Sequence, residues 1–166
     1  KYQSKNLNLS TLGSSLEDNE VLISFTMTEN HLFALVLDDD SQDFVKLPFD
    51  ESDREKVRDF YRILSKPAIT DNSTAISESG KLFFEKSLQR PLLNFENENL
   101  TIIPDDVLHY LPFDLLVEDD ELLLQSKFIG YGNSISSYLE LKEKGEGVYC
   151  QAFPRAERIG DPRSEE

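Results

Sequence analysis

Apolar residues gather in three short stretches near the start of the chain. Residues 21–28 and 31–37 read as two β-strands, the second an unbroken apolar run from Leu32, and the Glu29-Asn30 pair between them reads as a tight hairpin turn. A third short strand, 44–49, follows the acidic turn 38–43. A helical spacing comes next. Asp50 has the side chain of a helix N-cap, and Val57, Phe60, Tyr61 and Leu64 follow at the spacing that puts them on one helical face. That face is predicted to lie on the sheet.

After Pro67 and a Ser/Thr/Asn-rich stretch, a second helix is predicted over 81–90, with Phe84, Leu88 and Leu92 four residues apart and Pro91 near its end. Residues 100–103 read as a buried strand and 107–111 as a short extended piece. Pro112 opens a short helix through Phe113, Leu115 and Leu116. Small strands are expected at 122–124 and 128–129, and Ser134 caps a last helix running towards Glu143. Residues 1–20 show no clear period and read as a linker or the remnant of a preceding segment. The domain proper is thus expected over 21–144, with 145–166 a tail or the start of something further. No internal repeat is visible.

The 166 residues suit one compact α/β domain, and 39% hydrophobic residues with 11 Phe and 6 Tyr are enough for a core. Composition adds one strong constraint. With 32 acidic against 17 basic residues the formal charge is −15, a field that repels a phosphate backbone or an anionic membrane. Nucleic acid and membranes are therefore poor partners, whereas a basic protein or peptide would be attracted. Cys150, the single cysteine, can form no internal disulfide, and neither an apolar leader nor a membrane-length apolar run is present. A cytoplasmic protein is expected, so the sequons at Asn8, Asn72 and Asn99 carry no weight.

The segment 102–116 holds the most distinctive run: Ile102, Ile103, Pro104, Asp105, Asp106, then Leu108, His109, Tyr110, Leu111, Pro112, Phe113 and Leu116. It resembles the signature of the CHAT domain, the caspase-like module associated with tetratricopeptide repeats. The order of elements over about 22–141 is similar to that family as well. The resemblance implies a caspase-like central sheet flanked by helices, with an N-terminal β-hairpin. It also implies the family's non-catalytic first half, because the His-Gly turn and the Cys motif of the catalytic half do not occur here. Two departures stand out. Asp106 replaces a Gly whose turn wants positive φ, which Asp tolerates better than most residues, and Gly132-Asn133 replaces a small residue and Pro.

Other constellations are weaker. His109 and Cys150 invite a nucleophile–base dyad, but Cys150 lies between Tyr149 and Gln151 rather than beside a small-residue turn after a core strand. His109 is instead expected to be structural, its imidazole satisfying backbone groups. The cluster at 38–43 fails the calcium-loop pattern, with Asp43 where Gly is required and Phe49 where the bidentate acid belongs, so it reads as a solvated turn. Ser79-Gly80-Lys81 has no upstream Gly and Leu82 in place of Ser/Thr, and His31 has no second His near it. No cofactor or metal is predicted.

The leading expectation is a scaffold or regulatory half of a cysteine-peptidase module. Its partners would be the catalytic half and preceding tetratricopeptide repeats. A free-standing interaction module with an acidic surface is the alternative, and a small hydrolase using His109 and Cys150 a third. A half-module should carry an apolar docking surface, for which Phe83, Phe84, Leu92, Leu93, Val148 and Phe153 are the candidates, with homodimerisation as one outcome.

Overall fold

The computed structural model describes residues 12–65, 73–95 and 97–144. Strands β1 (Glu20–Met27), β2 (His31–Leu37), β3 (Gln42–Pro48), β4 (Asn99–Ile103) and β7 (Phe128–Tyr131) form one mixed sheet in the order β3-β2-β1-β4-β7. The antiparallel hairpins β1/β2 and β2/β3 make one side of it. β4 runs parallel to both β1 and β7. The fold is α/β.

Alternation divides the sheet's two faces. Val21, Ile23 and Phe25 of β1 point with Leu32, Ala34 and Val36 of β2, Val45 and Leu47 of β3, and Leu100 and Ile102 of β4 into the main core. Helix α1 (Glu51–Leu64) closes that core with Val57 and Phe60. It starts at Asp50 as expected: the Asp50 carboxylate accepts the Asp53 N–H at 3.1 Å, and the Asp53 carboxylate accepts the Asp50 N–H at 3.3 Å. Tyr61, assigned to the buried face from its spacing, is 49% exposed. On the other face Leu22, Leu37 and Ile103 meet Tyr138 of helix α4 (Ile135–Glu143), together with Leu12 and Leu16. Leu12 and Leu16 are buried, so residues 12–19 belong to the folded unit rather than to a linker, and the domain begins earlier than the hydrophobic pattern suggested. Residues 1–11 and 145–166 lie outside the described residues.

Helix α2 (Ser73–Phe83) begins well before Lys81, inside the Ser/Thr/Asn-rich stretch, and continues into a π-helical turn over Phe84–Leu88. The wide turn rotates successive side chains so that Phe83, Phe84, Ser87 and Leu88 are all buried. The Ser87 hydroxyl donates to the Phe83 carbonyl at 2.6 Å. The helix can pass close to the next layer because Gly80 lacks a side chain: a Cβ there would lie 2.8 Å from the Leu115 carbonyl oxygen and 2.9 Å from Val117 Cγ2. Strands β5 (Val117–Glu118) and β6 (Glu121–Leu122) form a small ribbon. Its turn residues Asp119 and Asp120 both have positive φ, as a primed hairpin turn requires. The strand expected at 122–124 yields after Leu122 to a short helix, α3 (Leu123–Ser126). Ser134 caps α4, its hydroxyl accepting the Ser137 N–H at 3.1 Å. Among the described residues no helix is long and apolar enough to cross a membrane.

Candidate functional site

The segment after β4 was expected to be partly extended. It forms instead two 3-10 turns, Asp106–Tyr110 and Phe113–Leu115, separated by Leu111 and Pro112. The first turn starts where Asp105 Oδ1 accepts the Asp106 N–H at 3.0 Å and Asp106 takes φ 48°. A short polar residue can hold that left-handed conformation, so the turn forms without glycine. Asp105 Oδ2 also accepts the Met27 N–H at 2.7 Å, tying the turn to the end of β1. From α1 the nearly buried Arg54 pairs with the Asp106 carboxylate and donates to the Thr28 carbonyl at 2.6 Å. One guanidinium thus joins α1, the β1/β2 turn and the start of this segment.

The signature residues separate by side. Pro104, Leu108, Phe113 and Leu116 are buried. Phe113 stacks on Phe25 with ring centroids 5.8 Å apart and lies 6.3 Å from the Tyr131 ring. His109 and Tyr110 point to solvent, and Pro112 is half-buried. The expectation that the His109 imidazole satisfies buried backbone groups is thereby corrected: the side chain is exposed and makes no hydrogen bond among the described residues. The turn is held by the Asp105 and Asp106 carboxylates, which do the work assigned to the histidine.

The solvent-facing residues border a groove of about 530 Å³ at the C-terminal ends of the parallel strands β4 and β7. Such strand ends are where open α/β sheets tend to hold ligands. Among the described residues three stretches distant in sequence line it: Tyr61, Leu64 and Ser65 at the end of α1; residues 109–112 with Asp114; and Tyr131, the last residue of β7. Tyr61 and Tyr110 meet edge to face at 5.4 Å, and Tyr61, Tyr110 and Tyr131 are each about half exposed. Tyr131 is the fixed member. Its hydroxyl donates to Asp114 Oδ1 and accepts the Phe113 N–H, both at 3.0 Å. Burial, and then the charge and hydrogen bond of Asp114, hold this phenol well above the ordinary tyrosine range. The Tyr61 and Tyr110 hydroxyls make no hydrogen bond among the described residues.

The proposed docking residues are not a surface. Phe83, Phe84 and Leu92 are buried in the main core, where the π-helical turn directs them, and of the described candidates Leu93 alone is exposed, at 74%. Val148 and Phe153 lie outside the described residues, as does Cys150, so the structure describes no geometry for a His109–Cys150 pair. The acidic stretch 38–43 is a hairpin turn in which Asp38 Oδ1 accepts the Asp40 and Ser41 N–H groups. No group of three or more His, Cys, Asp or Glu side chains able to hold a metal occurs among the described residues.

Sequence reasoning also missed a buried polar cluster behind the sheet. The Glu20 carboxylate, fully buried at the start of β1, accepts from the Thr101 hydroxyl at 2.9 Å, the Tyr138 hydroxyl at 3.0 Å, the Lys142 amine at 3.1 Å and the Glu17 N–H at 3.0 Å. It joins β1, β4 and α4 and is separate from the groove. No protein-family model matches the chain, and no curated protein sequence is significantly similar to it.

Proposed function

We propose that the chain is the non-catalytic scaffold half of a CHAT-type, caspase-like cysteine-peptidase module, working in the cytoplasm beside a catalytic half and tetratricopeptide repeats. The observation that carries this reading is the segment 104–116 at the end of a parallel core strand. Its apolar residues Leu108, Phe113 and Leu116 are sealed in the core, and its turn runs through a positive φ at Asp106, where the family has Gly. A conformation that suits glycine is what the resemblance requires of that position. The groove beside it carries tyrosines, a histidine and one carboxylate, a set suited to binding.

The test has two arms. Reading the gene beyond the codon for Glu166 should reveal an in-frame His-Gly turn and a later Cys; an immediate stop there sinks the half-module reading. The purified chain should cleave no peptide substrate, and cleavage abolished by Cys150→Ala would overturn the non-catalytic role. A second reading, a free-standing interaction module, is favoured by the three half-exposed tyrosines around one groove in a chain of charge −15. An immediate stop after Glu166 with retained partner binding would select it.

A further inference from the structure

We infer that the groove at the ends of β4 and β7 binds a proline-rich, basic peptide in the extended polyproline conformation. This rests on the geometry of the groove and holds under either reading of the chain's role. A polyproline helix has no internal hydrogen bonds, so its carbonyls seek outside donors, and its stiff proline rings pack on flat aromatic surfaces at little entropic cost. The groove supplies both. Tyr61 and Tyr110 present adjoining half-exposed rings, and both hydroxyls are without a partner among the described residues. Tyr131 gives a third ring held in place through Asp114 and the Phe113 N–H.

Charge selects the basic end of the ligand. Asp114 is the one carboxylate among the described lining residues, which include no Lys or Arg. Its Oδ1 is engaged by Tyr131, while Oδ2 makes no hydrogen bond among the described residues and is free for a guanidinium or ammonium group. The overall charge of −15 draws a cationic segment in and turns phosphate backbones away. A volume of about 530 Å³ matches a few residues of such a segment rather than a folded partner.

The test is a titration of the full chain with short synthetic peptides, followed by fluorescence anisotropy. One alternates Pro and Leu with an Arg at each end; a second replaces each Arg by Glu; a third keeps Arg but replaces Pro and Leu by Gly and Ser. The first should bind and the other two at least about tenfold more weakly, with affinity for the first falling as salt is raised. Tyr110→Ala should weaken the first peptide about tenfold, the scale of one lost aromatic contact. Asp114→Asn should remove the preference for Arg over Glu ends. Circular dichroism establishes that each variant is folded, and Tyr110→Phe, which removes only the hydroxyl, replaces Tyr110→Ala if that variant unfolds. Equal binding of the Gly/Ser peptide, preference for the Glu-ended peptide, binding unchanged in the Tyr110 variant, or no binding of the first peptide each overturns the inference. None of these outcomes depends on peptidase activity.

Discussion

Glu20→Ala is expected to be the most damaging single polar substitution behind the sheet. The carboxylate is fully buried and takes hydrogen bonds from two hydroxyls, an ammonium and a backbone amide. Removing it takes this acceptor from the Thr101 and Tyr138 hydroxyls and deprives Lys142 of one of two carboxylate partners. Breaking a buried ion pair from one side costs about 3–5 kcal/mol. Lys142 keeps Glu17 at 2.6 Å, and that carboxylate is 62% exposed, so the loss should fall at the lower end, about 3 kcal/mol. For a domain of this length that corresponds to a melting temperature lower by about 6–12 °C. Glu20→Gln keeps one acceptor oxygen and should cost less, and Tyr138→Phe, which deletes one hydroxyl, about 1 kcal/mol.

The assay is urea unfolding of wild type and variants, with the shift in midpoint read at constant slope so that it reports stability. The pH dependence gives an independent check. Burial alone would lower the pKa of Lys142, but hydrogen bonds and charge from Glu17 and Glu20 outweigh it and hold the amine above its ordinary 10.5. A value raised by folding means that this stabilisation is fully present below 10.5 and is lost as pH rises through the folded value. On the alkaline side the gap between wild type and Glu20→Ala should therefore hold to 10.5 and shrink as pH rises through the folded Lys142 value. A loss below about 1 kcal/mol in Glu20→Ala would refute the cluster's structural importance.

Other substitutions test the front of the sheet. His109→Ala should change stability by no more than about 0.5 kcal/mol, because the side chain is exposed and unbonded; a larger drop in urea midpoint would restore the buried-histidine reading. Gly80→Ala should destabilise by about 1–3 kcal/mol, since its Cβ would meet the Leu115 carbonyl at 2.8 Å, and a neutral result by thermal melt would show that the helix can move aside. In an alkaline ultraviolet titration the native protein should retain un-ionised phenol above the ordinary tyrosine range, with Tyr131 contributing to it. Tyr131→Phe should reduce that late-titrating signal, and an unchanged late signal would count against the raised value.

Much of the sheet was legible because burial on one face leaves a two-residue period, which β2 and β3 keep, while β1 and β4, buried on both faces over most of their length, read as short apolar runs. Asp50 and Ser134 were legible as caps for a local reason: the side chain bonds an amide within three residues. What failed depended on contacts remote in sequence. The start of α2 is polar, and its helical state goes with Gly80 lying against Leu115 and Val117. Phe83 and Phe84 are adjacent, so a regular helix would turn one of them outward, and the pattern suggested a docking surface. The π-helical turn removes that conflict by burying both. Leu12 and Leu16 looked isolated because their neighbours are Leu22, Leu37 and Tyr138.

The candidate site was half legible, and the division has a physical cause. The run 104–116 stood out because its turn is demanding: Asp105 must reach both its neighbour's amide and Met27, and Asp106 must accept a positive φ while pairing with Arg54. Those requirements concentrate unusual residues in one stretch. The two 3-10 turns then divide the stretch between two environments. Leu108, Leu111 and Phe113 go inward, whereas His109, Tyr110 and Pro112 face the groove. Nothing local distinguishes a residue that holds a turn from one displayed by it, which is why His109 was assigned to the wrong side. The other wall comes from Tyr61 on a helix and Tyr131 on an edge strand. A tyrosine at a core-facing helical spacing is ordinarily part of the core, and Tyr61 departs from it because its ring meets Tyr110 rather than the sheet. The groove therefore exists only once α1 is docked, and it is Arg54, joining α1 to Asp106 and Thr28, that couples the position of Tyr61 to that of Tyr110.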